Sequence, residues 1–115
     1  MRARVTTRVP RVRAAVRREV EAAVQAAVID IEAGAKMRAP VGYTGFLRNS
    51  IRGHITGPMM GEVEVMAEYA EPVEFGHITR SGSHVAAQPF LLPAVAAARA
   101  RFRVTAAIAV RRGVA

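Results

Sequence analysis

The residues able to do chemistry are few in this 115-residue chain. Three histidines, His54, His77 and His84, together with Glu74, are the side chains a metal would use. Imidazole and carboxylate do ligate zinc, but structural sites bring four ligands at recurring spacings. His77 and His84 stand in a Gly/Ser loop without such spacing, so solvated histidines are the expectation. Cysteine is absent, which removes thiolate metal sites, disulfides and a thiol nucleophile. There is no G-x-S-x-G, no phosphate-cradling P-loop and no group of carboxylates in a pocket-like context. Glu62, Glu64 and Glu68 are spaced like the solvent face of a strand and its exit. No catalytic residue, metal site or cofactor is expected, and a small hydrolase or metalloenzyme has no constellation behind it.

Arg48 and Glu74 are the pair with a physical reason to meet. Glu74 lies between Val73 and Phe75, and a carboxylate buried alone is costly. A guanidinium compensates it in a bidentate way. Within one chain such a pair fixes a turn; between chains it fixes the geometry of an assembly. Both remain open at this level. Thr44-Gly45 with Leu47 reads as local structure, glycine for backbone angle and leucine for the core, with Thr44 also a candidate for partner binding.

Charge is unevenly spread over a net +8. Residues 1–18 carry seven Arg and no acid, residues 57–79 five Glu and no Lys or Arg, residues 80–115 six Arg and no acid. Basic ends flanking an acidic middle suit either a polyanion such as DNA or head-to-tail contact between copies. Arg2, Arg4, Arg8, Arg11 and Arg13 would neutralise phosphates without reading sequence. No aromatic interleaving supports stacking on single strands, and no nucleic-acid fold motif is present. The acid-poor N-terminus resembles an organellar transit peptide in charge, but a flexible basic arm leading into a helix is the preferred reading. No run is long and apolar enough to span a membrane.

The elements that would position these residues follow from periodicity. Val12, Val16, Val20, Val24, Val28, Ile31 and Ala35 recur every three or four residues and predict a long helix from Pro10 to about Met37. Pro40 stops it, and Ala39 before it is pushed out of helical angles. VGYTGF at 41–46 is a turn. Ser50 to Thr56 reads as a strand with Ile51 and Ile55 inward, and 57–61 as a hairpin loop. Glu62 to Ala67 alternates strictly, with Val63 and Val65 to one side. Tyr69, Val73 and Phe75 are expected to bury. Residues 76–87 are expected to form a mobile loop. The last helix opens at Pro89 or Pro93, turns Val95, Ala98, Phe102 and Ile108 inward, and ends at Gly113. The predicted class is α+β: a long N-terminal helix and a C-terminal helix packed on a small antiparallel sheet. One domain covers 10–112, preceded by a flexible basic arm at 1–9. Its core is rich in Ala and Val and therefore thin.

Four blocks in order then carry a resemblance. They are Ala35-Lys36 with Ala39-Pro40-Val41; Thr44-Gly45, Leu47-Arg48 and Ser50-Ile51; Tyr69-Ala70 with Val73-Glu74-Phe75-Gly76; and Gln88-Pro89-Phe90-Leu91 with Pro93-Ala94. In this the chain resembles the head–tail joining and tail-component family of long-tailed bacteriophages, typified by the tenth gene product of a lambdoid phage. It departs from the family pattern in a turn longer by one residue at Gly42-Tyr43, in His77 for a common Thr and in Leu92 for a common Arg. The resemblance implies a structural virion protein without catalysis. Copies would form a ring, six-fold by resemblance, joining the head connector to the tail tube at the neck or completing the tail. It would be made in the bacterial host cytoplasm and reside in the virion. Its partners would be further copies and neighbouring connector and tail proteins, with no membrane involved. DNA would pass through the lumen without sequence-specific binding, so the terminal Arg are expected to meet protein. Interface candidates are Thr44, Arg48, Glu74, Phe75, His77, Arg80, Gln88 and Phe90. The basic arm and the 76–87 loop are expected to order on assembly. The alternative is a small basic nucleic-acid-binding protein, supported by charge alone.

Overall fold

A computed structural model describes residues 1–7, 14–41 and 45–114. The chain order is β1 (Arg2–Thr6), α1 (Ala14–Arg38), α2 (Phe46–Asn49), β2 (Ile51–Gly57), β3 (Met60–Val65), α3 (Ala70–Phe75), β4 (His77–Ile78), β5 (His84–Val85) and α4 (Leu91–Val114). The architecture is α+β, as the periodicity predicts. Two long helices and a three-stranded antiparallel sheet of order β1-β3-β2 make up the body. The molecule is a rod of 61 × 21 × 20 Å.

The apolar stripe of α1 is the inner face of the molecule. Val16, Val20, Val24, Val28, Ile31 and Ala35 are all buried, as are Ala23 and Ala27. The predicted start at Pro10 lies outside the described residues. The helix ends before Pro40, and Lys36 and Arg38 in its last turn oppose the negative end of the helix dipole. One side of α1 faces the sheet and another faces α4. Asp30 pairs with Arg101, and Gly34 lies against Ala94. Residue numbers rise in one helix as they fall in the other, so α1 and α4 are antiparallel.

Two glycines set how closely α1 lies on the sheet. A Cβ on Gly61 would come within 2.5 Å of Val28 Cγ2, and one on Gly53 within 2.8 Å of Val28 Cγ1. Gly53 pairs with Val63, and Gly61 with Ile55 and Val5, so both glycines lie in the ladder rather than in a loop. The expected hairpin loop at 57–61 is correspondingly tighter. Only Pro58 and Met59 separate β2 from β3, with Met59 at φ 66 and a register irregularity between Ile55 and Gly57. Strict alternation in β3 holds, with Val63 and Val65 buried.

Several expectations change. The basic arm expected to be flexible is, over Arg2–Thr6, an edge strand paired with β3. Ala3 and Val5 pack against the core, so losing residues 1–9 strips a strand from the sheet. The loop at 76–87 contains the short β4–β5 hairpin, with His77 opposite Val85. Ile55 shares the inner face with Gly53 and Gly61, beside Val24 and Gln25 of α1, yet stays 46 % exposed. Phe75 and Tyr69 are exposed, since the short helix α3 turns Ala70 and Glu74 inward instead. In α4 the buried position near the C-terminal end is Ala109; Ile108 is exposed, and the helix continues through Gly113 to Val114.

Gly61→Ala is expected to destabilise the fold by about 1–3 kcal/mol, the cost of overpacking a closed contact. Val28→Ala in the same chain removes the clashing methyls and should recover part of that loss. Urea unfolding of both single variants and the double variant reads the coupling; strict additivity would contradict the seat.

Candidate assembly interface

Glu74 sits at the junction of α3 and α4 with 2 % exposure. Its Oε1 accepts the backbone N–H of Leu91 at 2.7 Å and that of Phe90 at 3.3 Å. These belong to the first turn of α4, whose amides have no carbonyl within the helix. Pro93 has no N–H, and Leu92 is exposed to water, so Glu74 completes the capping of the helix from a remote position. The carboxylate also suits the positive end of the helix dipole. Beside it, Gln88 N–H donates to Val73 C=O at 2.8 Å. Gly76, at φ 79, passes so near Val85 C=O that a Cβ would approach it to 2.8 Å.

Arg48 has a different partner. Its Nε donates to Lys36 C=O at 3.0 Å, closing a carbonyl left open in the last turn of α1. No ion pair joins Arg48 to Glu74 among the described residues. The expected pair is therefore replaced by two separate caps, one at the end of α1 and one at the start of α4. Glu74 Oε1 is engaged within its own chain, while the buried Oε2 has no hydrogen-bond partner among the described residues.

The interface candidates sort by burial. Phe90 is fully buried, Glu74 is buried and Arg48 is half-buried in the single chain. Phe75, His77, Arg80 and Gln88 are exposed. Thr44 lies outside the described residues. Surface residues that the sequence reading did not select are Phe46 and Tyr69, whose rings lie 6.2 Å apart, and Met66, which is 64 % exposed. Phe46 closes the turn expected at 41–46, and the fold shows that α2 turns Leu47 inward and Phe46 out.

The four blocks that carry the resemblance meet in two pairs. The second reaches the first through Arg48 and Lys36 C=O, and the third reaches the fourth through Glu74 and the start of α4. A family model described as "Bacteriophage HK97-gp10, putative tail-component" matches residues 3–76, more than half of the chain. The chain belongs to this phage tail-component family. Its membership assigns it a structural role in a tailed bacteriophage. The fourth block lies beyond the matched residues, and the geometry above connects it to the third. No curated protein and no solved structure matches the chain.

The remaining ionisable groups form a ladder on the outer face of the sheet. Arg2 stands opposite Glu64, and Glu64 opposite Arg52; Arg4 stands opposite Glu62, and Glu62 opposite His54. Arg2 donates to Glu64 at 2.9 Å, and His54 Nε2 lies 3.1 Å from Glu62. Arg4 lies 3.7 Å from Glu62. His54, Glu62 and Glu64 are the one trio of metal-ligand type among the described residues, and their carboxylates already face Arg2, Arg4 and His54. His77 and His84 lie on the two strands of the β4–β5 hairpin, Glu74 is interior and His54 stands on β2. Arg8, Arg11 and Arg13 lie outside the described residues. No helix among the described residues is long and apolar enough to cross a membrane.

Glu74→Ala should cost about 1–3 kcal/mol by leaving buried amides without an acceptor. Hydrogen exchange should show protection lost at Phe90 and Leu91. Combined with Arg48→Ala, the effects should add to within about 0.5 kcal/mol, since the two caps share no partner. Strong coupling between them would restore the Arg48–Glu74 pair.

Proposed function

We propose that this tail-component protein is a ring-forming joint of the phage neck or upper tail. Copies would close into a ring, six-fold by family resemblance, between the head connector and the tail tube. Its work is architectural, with no catalysis and no cofactor. Residence in the virion and contact with neighbouring connector and tail proteins follow from this reading. DNA would pass through the lumen without being read.

The observation that carries the proposal is the exposed aromatic pair Phe46–Tyr69 in a member of a virion family. An exposed cluster of large apolar side chains marks an interaction surface, and aromatic residues are enriched where protein interfaces close. Met66 is also exposed, three positions before Tyr69. The alternative, a nucleic-acid-binding protein, loses part of its support: Arg2 and Arg4, both counted towards a basic arm, face carboxylates on the sheet.

Light scattering on the purified chain should show a ring-sized species forming as concentration rises. Phe46→Ser with Tyr69→Ser should shift that equilibrium to monomer while leaving the thermal midpoint within about 3 °C, as expected of exposed positions. A wild-type chain that stays monomeric at millimolar concentration, or a double variant that still assembles, would overturn the ring or its surface.

A further inference from the structure

Among the described residues the sheet is open along β1, and what lies beside that edge specifies what can join it. Met1 exchanges both backbone bonds with Val65, at 3.4 and 2.8 Å. Pairing in an antiparallel ladder alternates, so Ala3 and Val5 also turn their amides to β3. The amides of Arg2, Arg4 and Thr6 then point away from the sheet. Next to them a groove separates β1 from α4. It comprises two adjoining hollows of about 290 and 510 Å³, both lined by Arg4, Val95 and Arg99. Ala27, Ile31, Ala98 and Phe102 line the first hollow; Phe75, Leu91 and Leu92 line the second, with Glu71 as the one carboxylate beside Arg2, Arg4 and Arg99. The groove thus has the form of a missing strand position: on one side amides without a partner among the described residues, then an apolar floor, and a helix as the far wall.

Charge decides the occupant. Across the outer face the strands alternate in sign: basic on β1 (Arg2, Arg4), acidic on β3 (Glu62, Glu64), basic on β2 (Arg52, with His54). A second copy adding its free β2 edge to β1 would set Arg52 and His54 against Arg2 and Arg4. Like charges directly opposite each other oppose pairing. The acidic–apolar alternation of this chain, Glu62-Val63-Glu64-Val65, already fills the central strand. We propose that β1 accepts an extended segment of a different protein as a fourth strand. That segment alternates apolar residues, facing the groove floor, with acidic residues facing Arg2, Arg4 and Arg99. This is strand addition, in which main-chain bonds give affinity and alternate side chains give specificity. It adds a partner class to the structural role and holds whether or not copies close into a ring.

The test uses the full chain and a synthetic peptide of alternating valine and glutamate, followed by fluorescence anisotropy and amide exchange. Saturable binding is expected, with protection gained at the amides of Arg2, Arg4 and Thr6. Replacing glutamate by lysine in the peptide should weaken binding by about tenfold or more, as reversal of a charge match does. Arg99→Glu, on α4 and outside the sheet, should weaken it in the same sense without loss of fold. Arg4→Glu should do likewise and should leave the ring equilibrium measured above unchanged. No binding at millimolar peptide, equal binding of the lysine peptide, or binding without protection at those amides would overturn the proposal. So would concentration-dependent protection of the same amides in the protein alone, which would assign the edge to a second copy. Displacement of the peptide by duplex DNA at physiological salt would assign the groove to nucleic acid and overturn it as well.

Discussion

The seat of Val28 on Gly53 and Gly61 is the contact on which the structure depends. Without side chains at those two positions, α1 lies directly on β2 and β3. That closeness makes a core of Ala and Val sufficient, because small side chains fill only a thin layer. The same economy recurs on the other side of α1, where Gly34 meets Ala94 and lets α4 approach. A helix pair and a sheet held this near to one another form a narrow rod with much surface for its mass. Such a shape suits a building block whose partners supply further burial.

Two remote caps then fix the ends of the long helices. Arg48 closes the end of α1, and Glu74 closes the start of α4. Both are charged side chains acting on backbone groups, which are strong interactions when partly or fully shielded from water. They explain why the four blocks of this chain combine charged residues with glycine and proline. The residues hold chain reversals in place, and the exposed residues beside them, Phe46, Tyr69 and Phe75, are thereby presented at defined positions.

Much of this fold was legible in the sequence. The stripe from Val16 to Ala35 has one period and one meaning, and the alternation in β3 is equally plain. The α+β class and the family followed from these and from the order of the blocks. Strand β1 was not legible as a strand. Arg2-Ala3-Arg4-Val5-Thr6 does alternate, but its inward residues are few and small and its partner lies some sixty positions later, so charge dominated the reading. The Arg48–Glu74 pairing failed for a related reason. Each residue did need a partner, but the partners are backbone groups, which leave no mark in a sequence. The exposed aromatic surface was legible only in part: Tyr69 and Phe75 were expected to bury, as aromatic residues usually do, and Phe46 was read only as the end of a turn.

The central claim is that this chain is a structural joint of a tailed phage particle, presenting its surfaces from a rigid scaffold. Immunogold electron microscopy on particles from the host culture, with antibody to the purified protein, tests it most directly. The account predicts label concentrated at the head–tail junction or the upper end of the tail. Particles free of label, with the protein recovered instead on cellular DNA, would contradict it.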